Sequence, residues 1–431
     1  MANAEPEIRN LAIDRNALLS AFRADRELLY KLRKLTAIVR FDLEREAFDL
    51  HVEDGVPSKI DDVHGTAPIS IKAPLAFWEK ALVRDPERGY ESLSVGGKYG
   101  AFAEGSFHEL IAPYQGAIQR LFVVLRESVA GKTPRFDCEP EPYRATDVAV
   151  GRYAFVRSGD KEARVYYEEA GDGPVTLVLQ HTAGADGRQY RHMLANPELQ
   201  RRFRMIAWDL PYHGRSLPPI GDRWWEGAYQ PTKTDLMNWS VAICDTLGLD
   251  RPVYLGTSVG GQLALDLAAH HADRFRAFVS VNGWYEIVSR GPYDNDIHRH
   301  PLTTTDYFAS RILAATAPSA PEPSSHEVYW VYRSNVPGVY AGDNDYFMNL
   351  HDLRVDGHLI DTTKTPVYVV TGEYDGSMLF PAHGGQAVAE HIPGVVFREL
   401  PELGHFAPSD DPVRFCEAII PILDEIVALS R

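Results

Sequence analysis

Leu255-Gly256-Thr257-Ser258-Val259-Gly260-Gly261 lies between the apolar run Pro252 to Leu255 and a stretch of helical pattern, Gln262 to His271. A strand, a very tight turn and a helix follow one another, with one serine at the apex. Small residues flank that serine because a strained turn of this kind leaves no room for side chains at the glycine positions. The strain lifts the Ser258 hydroxyl clear of the sheet, where a histidine can reach it. Taken alone, the pentapeptide also fits an ordinary glycine-rich turn. The context decides: the helix behind it carries Leu263, Leu265, Leu267, Ala268 and Ala269, as a helix packed on a sheet requires, and an acid and then a histidine follow downstream.

Strands alternate with helical stretches on both sides of this elbow. Val175–Leu179, Arg204–Trp208, Pro252–Leu255, Ala277–Val281, Val367–Thr371 and Val395–Leu400 read as strands, preceded by a pair at Gly151–Val156 and Arg164–Glu169. Such alternation implies an α/β fold with a doubly wound, mostly parallel sheet. The stretch from Trp284 to Pro366 is too long for a plain connection and is read as an inserted cap, at about 284–365, with the Pro/Ser/Ala cluster Ala317 to Ser325 as a loop inside it.

The chain has 431 residues, comfortable for two domains. Before the elbow domain, Ile13 to Lys34 reads as helix, Thr36–Phe41, Ala47–Val52 and Ala67–Lys72 as strands, and Leu75–Leu82 and Pro113–Glu127 as helices. The expected division is an N-terminal α+β domain over 1–131, a linker rich in proline and charge over 132–149, and the α/β domain with its cap over 150–431.

A formal net charge of −16 argues against nucleic acid or an anionic membrane as partner. Cys138, Cys244 and Cys416 lie far apart with no zinc-type or disulfide spacing. A reducing, cytoplasmic setting fits, no stretch is apolar and long enough for membrane insertion, and the start of the chain lacks a signal-peptide pattern. No motif asks for a cofactor or a metal: the elbow lacks the Gly-Lys-Ser/Thr ending of a nucleotide loop. The expected partner is a small-molecule substrate.

Ser258 is a weak nucleophile until a base takes its proton. His405, in Glu402-Leu-Gly-His-Phe406, is the candidate base, and Asp375, in Thr371-Gly-Glu-Tyr-Asp375, the candidate carboxylate that fixes its tautomer; Glu373 is the rival. The remaining motifs are Gln180-His-Thr-Ala-Gly184 and Trp208-Asp-Leu-Pro-Tyr-His-Gly-Arg-Ser216. Together, from Tyr153 to Ile426, these segments resemble the alpha/beta-hydrolase fold family in kind and order.

The resemblance implies a serine hydrolase with a catalytic triad of Ser258, Asp375 and His405. It implies an oxyanion hole from the backbone of Val259 and Ala183, with Thr182 standing where glycine is usual and offering its hydroxyl. Asp209 belongs to a turn that is structural in the family. His181, Trp224, Trp225, Trp284 and Tyr285 are the candidate pocket residues, with Tyr229, Trp330 and Tyr332 also near the expected mouth; tryptophans that simply fill a core are the competing reading. The expected activity is hydrolysis of a carboxylic ester or lactone of an apolar or aromatic small molecule through an acyl-enzyme. Cleavage of a carbon–carbon bond in a diketone or ring-cleavage product is the alternative, weakened because Phe406 stands where such enzymes usually carry tryptophan. A non-catalytic small-ligand receptor or carrier is a third. The N-terminal segment, Asp14 to Ser128, resembles a sterol-carrier-protein-like domain, which implies apolar-ligand binding or substrate presentation; a domain that forms a homo-oligomer or braces the cap fits its pattern equally.

Overall fold

The computed structural model describes residues 13–133, 146–287 and 295–429, so Cys138 and most of the expected linker lie outside the described residues. Two compact units divide near Arg135.

In the first unit the expected helix over Ile13 to Lys34 is two helices, Arg15–Ala24 and Arg26–Leu32. Asp25 divides them: its carboxylate caps the second helix by accepting from the Leu28 N–H at 2.7 Å, and Arg120 binds the same carboxylate. Strands β1 (Ala37–Asp42), β2 (Ala47–Glu53), β3 (Val56–Asp62), β4 (Ile69–Lys72) and β5 (Phe102–Gly105) form one sheet in the order β3-β2-β1-β4-β5. The sheet is mixed, because β4 joins β1 in parallel. The two strands missed by pattern, β3 and β5, are the sheet edges; their residues are largely solvated, so they lack the apolar alternation that marks a half-buried strand. The helix Ala112–Ala130 buries Ile118, Leu121, Phe122 and Leu125 in the same core as Phe41, Phe48 and Trp78. Each such side chain contributes about 1.5–3 kcal/mol relative to exposure.

The second unit is built on β6 (Val150–Ser158), β7 (Lys161–Ala170), β8 (Val175–Gln180), β9 (Phe203–Trp208), β10 (Val253–Thr257), β11 (Ala277–Val281), β12 (Val367–Gly372) and β13 (Val396–Leu400). Their order is β6-β7-β9-β8-β10-β11-β12-β13. Pairs β6·β7 and β7·β9 are antiparallel, and the rest are parallel. Both faces are covered. Val178, Tyr254 and Phe278 pack with the helices Lys233–Thr246 and Val259–His270, while Leu177, Leu255 and Val279 pack with the C-terminal helix Pro412–Leu429. A sheet buried on both faces needs apolar side chains at successive positions, which is why β8, β10 and β11 read as near-continuous apolar runs. Cys244 and Cys416 are buried free thiols, one on each face, and burial pushes both up to about 12.

Between β11 and β12 the inserted segment is helical, with helices Thr305–Leu313, Glu322–Arg333 and Pro337–Asp345. The Pro/Ser/Ala cluster expected as a loop is partly helix. Pro321 is the N-cap, Pro323 falls in the first turn where no N–H is needed, and Ser324 and Ser325 are buried.

Candidate active site

Ser258 joins β10 to the helix Val259–His270 with φ +58° and ψ −112°, a conformation costly for any residue with a side chain. The neighbouring glycines show what holds it there. A Cβ on Gly256 would stand 2.1 Å from the Gly260 carbonyl oxygen, and one on Gly261 would stand 2.5 Å from that of Val281. The elbow can be this sharp only without those side chains. The Ser258 N–H is fixed to the Val281 carbonyl at 2.8 Å, at the end of the adjacent strand.

His405 lies on the loop after β13. Its Nε2 stands 2.9 Å from Ser258 Oγ, and its Nδ1 is hydrogen-bonded to Asp375 Oδ2. Asp375 follows β12; its other oxygen accepts from the Ser377 N–H at 2.8 Å and from the Ser377 hydroxyl. Burial pushes the Asp375 carboxyl upward, but the facing His405 and the Ser377 hydrogen bonds outweigh it and hold it below the usual carboxylate range. Glu373 is turned elsewhere: its carboxylate accepts from the Glu402 N–H at 2.9 Å.

A residue not anticipated from sequence, Asn282, ties these loops together. It is buried at the end of β11 with φ +56°. Its Nδ2 donates to the carbonyls of His405 at 2.8 Å and Gly404 at 3.2 Å, and its Oδ1 accepts from the Gly372 N–H at 2.9 Å. One amide therefore fixes the base-bearing loop to the end of the strand that carries the acid.

The Gln180–Gly184 loop faces the elbow from β8. Thr182 donates its N–H to Gln189 Oε1 at 2.9 Å, Gly184 donates to Asp343 Oδ2 at 2.8 Å, and Ala185 to the Thr182 carbonyl at 3.2 Å. Among the described residues, the N–H groups of Ala183 and Val259 have no acceptor, and Val259 opens a helix. The Val259 N–H directly follows Ser258, and a Cβ on Gly260 would stand 2.6 Å from the Gln180 carbonyl oxygen, so the elbow packs against the start of the loop that carries Ala183. The Thr182 N–H is already engaged, and its hydroxyl is hydrogen-bonded to that of Tyr332, either oxygen being able to donate.

The candidate pocket residues stand in different surroundings. His181 is fully buried: Nδ1 donates to the Thr182 carbonyl at 2.8 Å and Nε2 accepts from the Leu210 N–H at 3.1 Å. Burial, with the neighbouring His213, pushes its pKa down to about 4, so it is a neutral structural ring. Trp224 and Trp225 are exposed at 58% and 63% and pack edge to face on each other. Tyr285 stacks on His391, at the end of the helix Gly385–His391. Trp284 is buried against Phe380, and its carbonyl accepts from His351. Of the aromatics named from sequence, Tyr332 reaches the site: its ring packs on Phe406, which itself packs on His405. Phe308 and Tyr340 join it from the cap.

Asp209 accepts from the Gly187 and Arg215 N–H groups, each at 2.8 Å, and so braces a turn. Burial, reinforced by Asp186, pushes it up to about 7.

The sequence profile described as "alpha/beta hydrolase fold" matches residues 175–412, more than half of the chain. A 2-hydroxy-6-oxononadienedioate/2-hydroxy-6-oxononatrienedioate hydrolase of Paraburkholderia phymatum is 28% identical over 301 residues, covering 65% of this chain and 98% of that protein. A RutD protein of Caulobacter sp. (strain K31), provisionally named a carbamate hydrolase, is 27% identical over 275 residues, covering 60% of this chain and 95% of that protein. Among solved structures, the enol-lactonase of Burkholderia xenovorans LB400 superposes with a TM-score of 0.52 at 22% identity, covering 64% of this chain and 100% of that one, a likeness of fold. The matched segment opens on β8 and closes where the C-terminal helix begins, taking in the elbow, the insertion and the His405 loop; the chain belongs to the alpha/beta-hydrolase fold family.

Proposed function

We propose that the second unit is a serine hydrolase that cleaves a carboxylic ester or lactone of an apolar or aromatic small molecule through an acyl-enzyme. The observation that carries this is His405, with Nε2 at 2.9 Å from Ser258 Oγ and Nδ1 on Asp375. Ser258 Oγ attacks the carbonyl carbon while His405 Nε2 takes its proton. Asp375 fixes the tautomer that leaves Nε2 free to act as base, and stabilises the imidazolium. The N–H groups of Val259 and Ala183 receive the oxyanion of the tetrahedral intermediate. Collapse expels the alcohol, protonated by His405; a water deprotonated by the same nitrogen then releases the acid and restores Ser258.

A second reading, cleavage of a carbon–carbon bond in a diketone or ring-cleavage product, is favoured by the relative from Paraburkholderia phymatum. Phe406 and Tyr332 beside His405 give the site an apolar wall that suits either substrate. A serine-directed fluorophosphonate tests the nucleophile: labelling at Ser258, lost in Ser258→Ala, is expected, and turnover within a few-fold of wild type in Ser258→Ala would remove the assignment. Esters, lactones and 1,3-diketones assayed side by side separate the two reactions.

The first unit is assigned to presenting an apolar substrate or to forming a homo-oligomer, tested by sizing the full chain. A cytoplasmic setting is supported by the free thiols of Cys244 and Cys416. No helix among the described residues is long and apolar enough to cross a membrane.

A further inference from the structure

We infer that Asp343, on the cap helix Pro337–Asp345, is a positioning residue for the oxyanion loop, so that the cap completes the loop's alignment. This rests on Ser258 as nucleophile and the Ala183 N–H as oxyanion donor. The Asp343 side chain is fully buried. Its Oδ2 accepts from the Gly184 N–H at 2.8 Å and from His213 Nε2 at 2.7 Å, and its Oδ1 accepts from the Tyr229 hydroxyl at 3.1 Å.

The Ala183 N–H shares one peptide plane with the Thr182 carbonyl, which accepts from His181 Nδ1 at 2.8 Å and from the Ala185 N–H at 3.2 Å, so its direction depends on the turn from Thr182 to Ala185 and on the peptides that flank it. The preceding residue, Thr182, is held by Gln189 from the core, and the following one, Gly184, is held by Asp343 from the cap. Between these two anchored neighbours, the Ala183 N–H has no acceptor among the described residues. The contact is also close. Gly184 has φ +58°, and a Cβ there would stand 2.6 Å from Tyr340 Cβ and 2.9 Å from Tyr340 Cα, so the cap helix lies directly on the loop. Tyr332 adds a second tie from the cap through the Thr182 hydroxyl.

A bare carboxylate so near the oxyanion site would oppose the charge that develops there. The structure supplies the compensation. His213 Nδ1 donates to Pro211 O at 3.0 Å, and one proton is shared between Nε2 and Asp343 Oδ2 at 2.7 Å, so the pair carries no net charge wherever that proton sits. Asp343 therefore orients the loop without leaving a net negative charge beside it.

The test uses the full chain with an activated aryl ester and an aryl boronic acid, which forms a tetrahedral adduct on a reactive serine. Asp343→Ala is expected to lower kcat roughly 10²-fold, the scale of one lost oxyanion donor, and to loosen the boronate by a similar factor. KM should stay within about two-fold and the acid limb of the pH profile should not move, because an interaction made only in the transition state is lost and the His405–Asp375 pair is untouched. Asp343→Asn keeps an acceptor for the Gly184 N–H and is expected to recover kcat to within roughly 3- to 10-fold of wild type. If Asp343→Ala does not fold, the near-isosteric Asp343→Asn carries the test, with a roughly 3- to 10-fold parallel loss in kcat and boronate affinity. Unchanged kcat and boronate affinity, or a change confined to KM, would overturn the inference. Failure of the wild-type chain to form the serine adduct would instead overturn the reading of Ser258.

Discussion

Replacing Asn282 by alanine removes three hydrogen bonds in one step: two to the carbonyls of Gly404 and His405, and one from the Gly372 N–H. All three partners sit in a region where Asn282 itself is 0% exposed, so water cannot take over without opening the loop. An orphaned buried N–H costs about 1–3 kcal/mol, and the two carbonyls together add about 1–2 kcal/mol. Alanine must also hold φ +56°, which costs about 1 kcal/mol more than for asparagine. The expected loss is about 3–6 kcal/mol, a large fraction of the ~5–15 kcal/mol typical of a folded domain. The same substitution frees the His405 loop, and a shift of about 1 Å in a catalytic group costs about 10²-fold in rate. The assay is paired: urea unfolding of the second unit, followed by its buried tryptophans, and kcat on an activated ester under conditions where the variant is folded. Stability within about 1 kcal/mol of wild type together with kcat within two-fold would refute the reasoning that one amide fixes both loops.

Asp375→Asn is expected to lower kcat by about three to four orders of magnitude through a mispaired His405 tautomer, while Glu373→Gln changes it only slightly; the reverse ranking in steady-state assays would reassign the acid. Asp343 raises the pKa of His213 above its ordinary value of 6.5 despite burial, so this pair contributes its full stability below that value and loses it as pH rises through the higher folded-state value. Unfolding midpoints measured from pH 6 upward should therefore fall less steeply in His213→Gln than in wild type, and identical slopes would exclude His213 as the titrating group. A chain of residues 136–431 should still react with a small fluorophosphonate at Ser258, because the two units have separate hydrophobic cores; a folded, soluble product that does not react would show that the first unit completes the site.

The inner strands were legible because burial on both faces writes itself as unbroken apolar runs, and the elbow because glycines are forced on both sides of Ser258. The edge strands β3 and β5 were not, since solvated positions carry no such constraint. Ser258, Asp375 and His405 each sit in a local motif, and the fold brings them into contact. Asn282 was hidden because Asn-Gly after a strand signals a turn whatever its amide does. The residues that face the site were less legible for a different reason. Which loop faces the site is a long-range property: Asp343 meets Gly184 across 159 positions of sequence, while Trp224 and Trp225, nearer in the chain, stay on the surface.

Cys244 and Cys416 lie on opposite faces of the β6–β13 sheet, one on the helix Lys233–Thr246 and the other on the C-terminal helix. Alkylation requires the thiolate, and burial suppresses it at both positions, so neither thiol reacts until its own helix lifts away. With Cys138 replaced by serine, the chain becomes a two-channel clock for its own opening. One common labelling rate would mean that both layers leave the sheet together, and two rates would give the order in which they peel off.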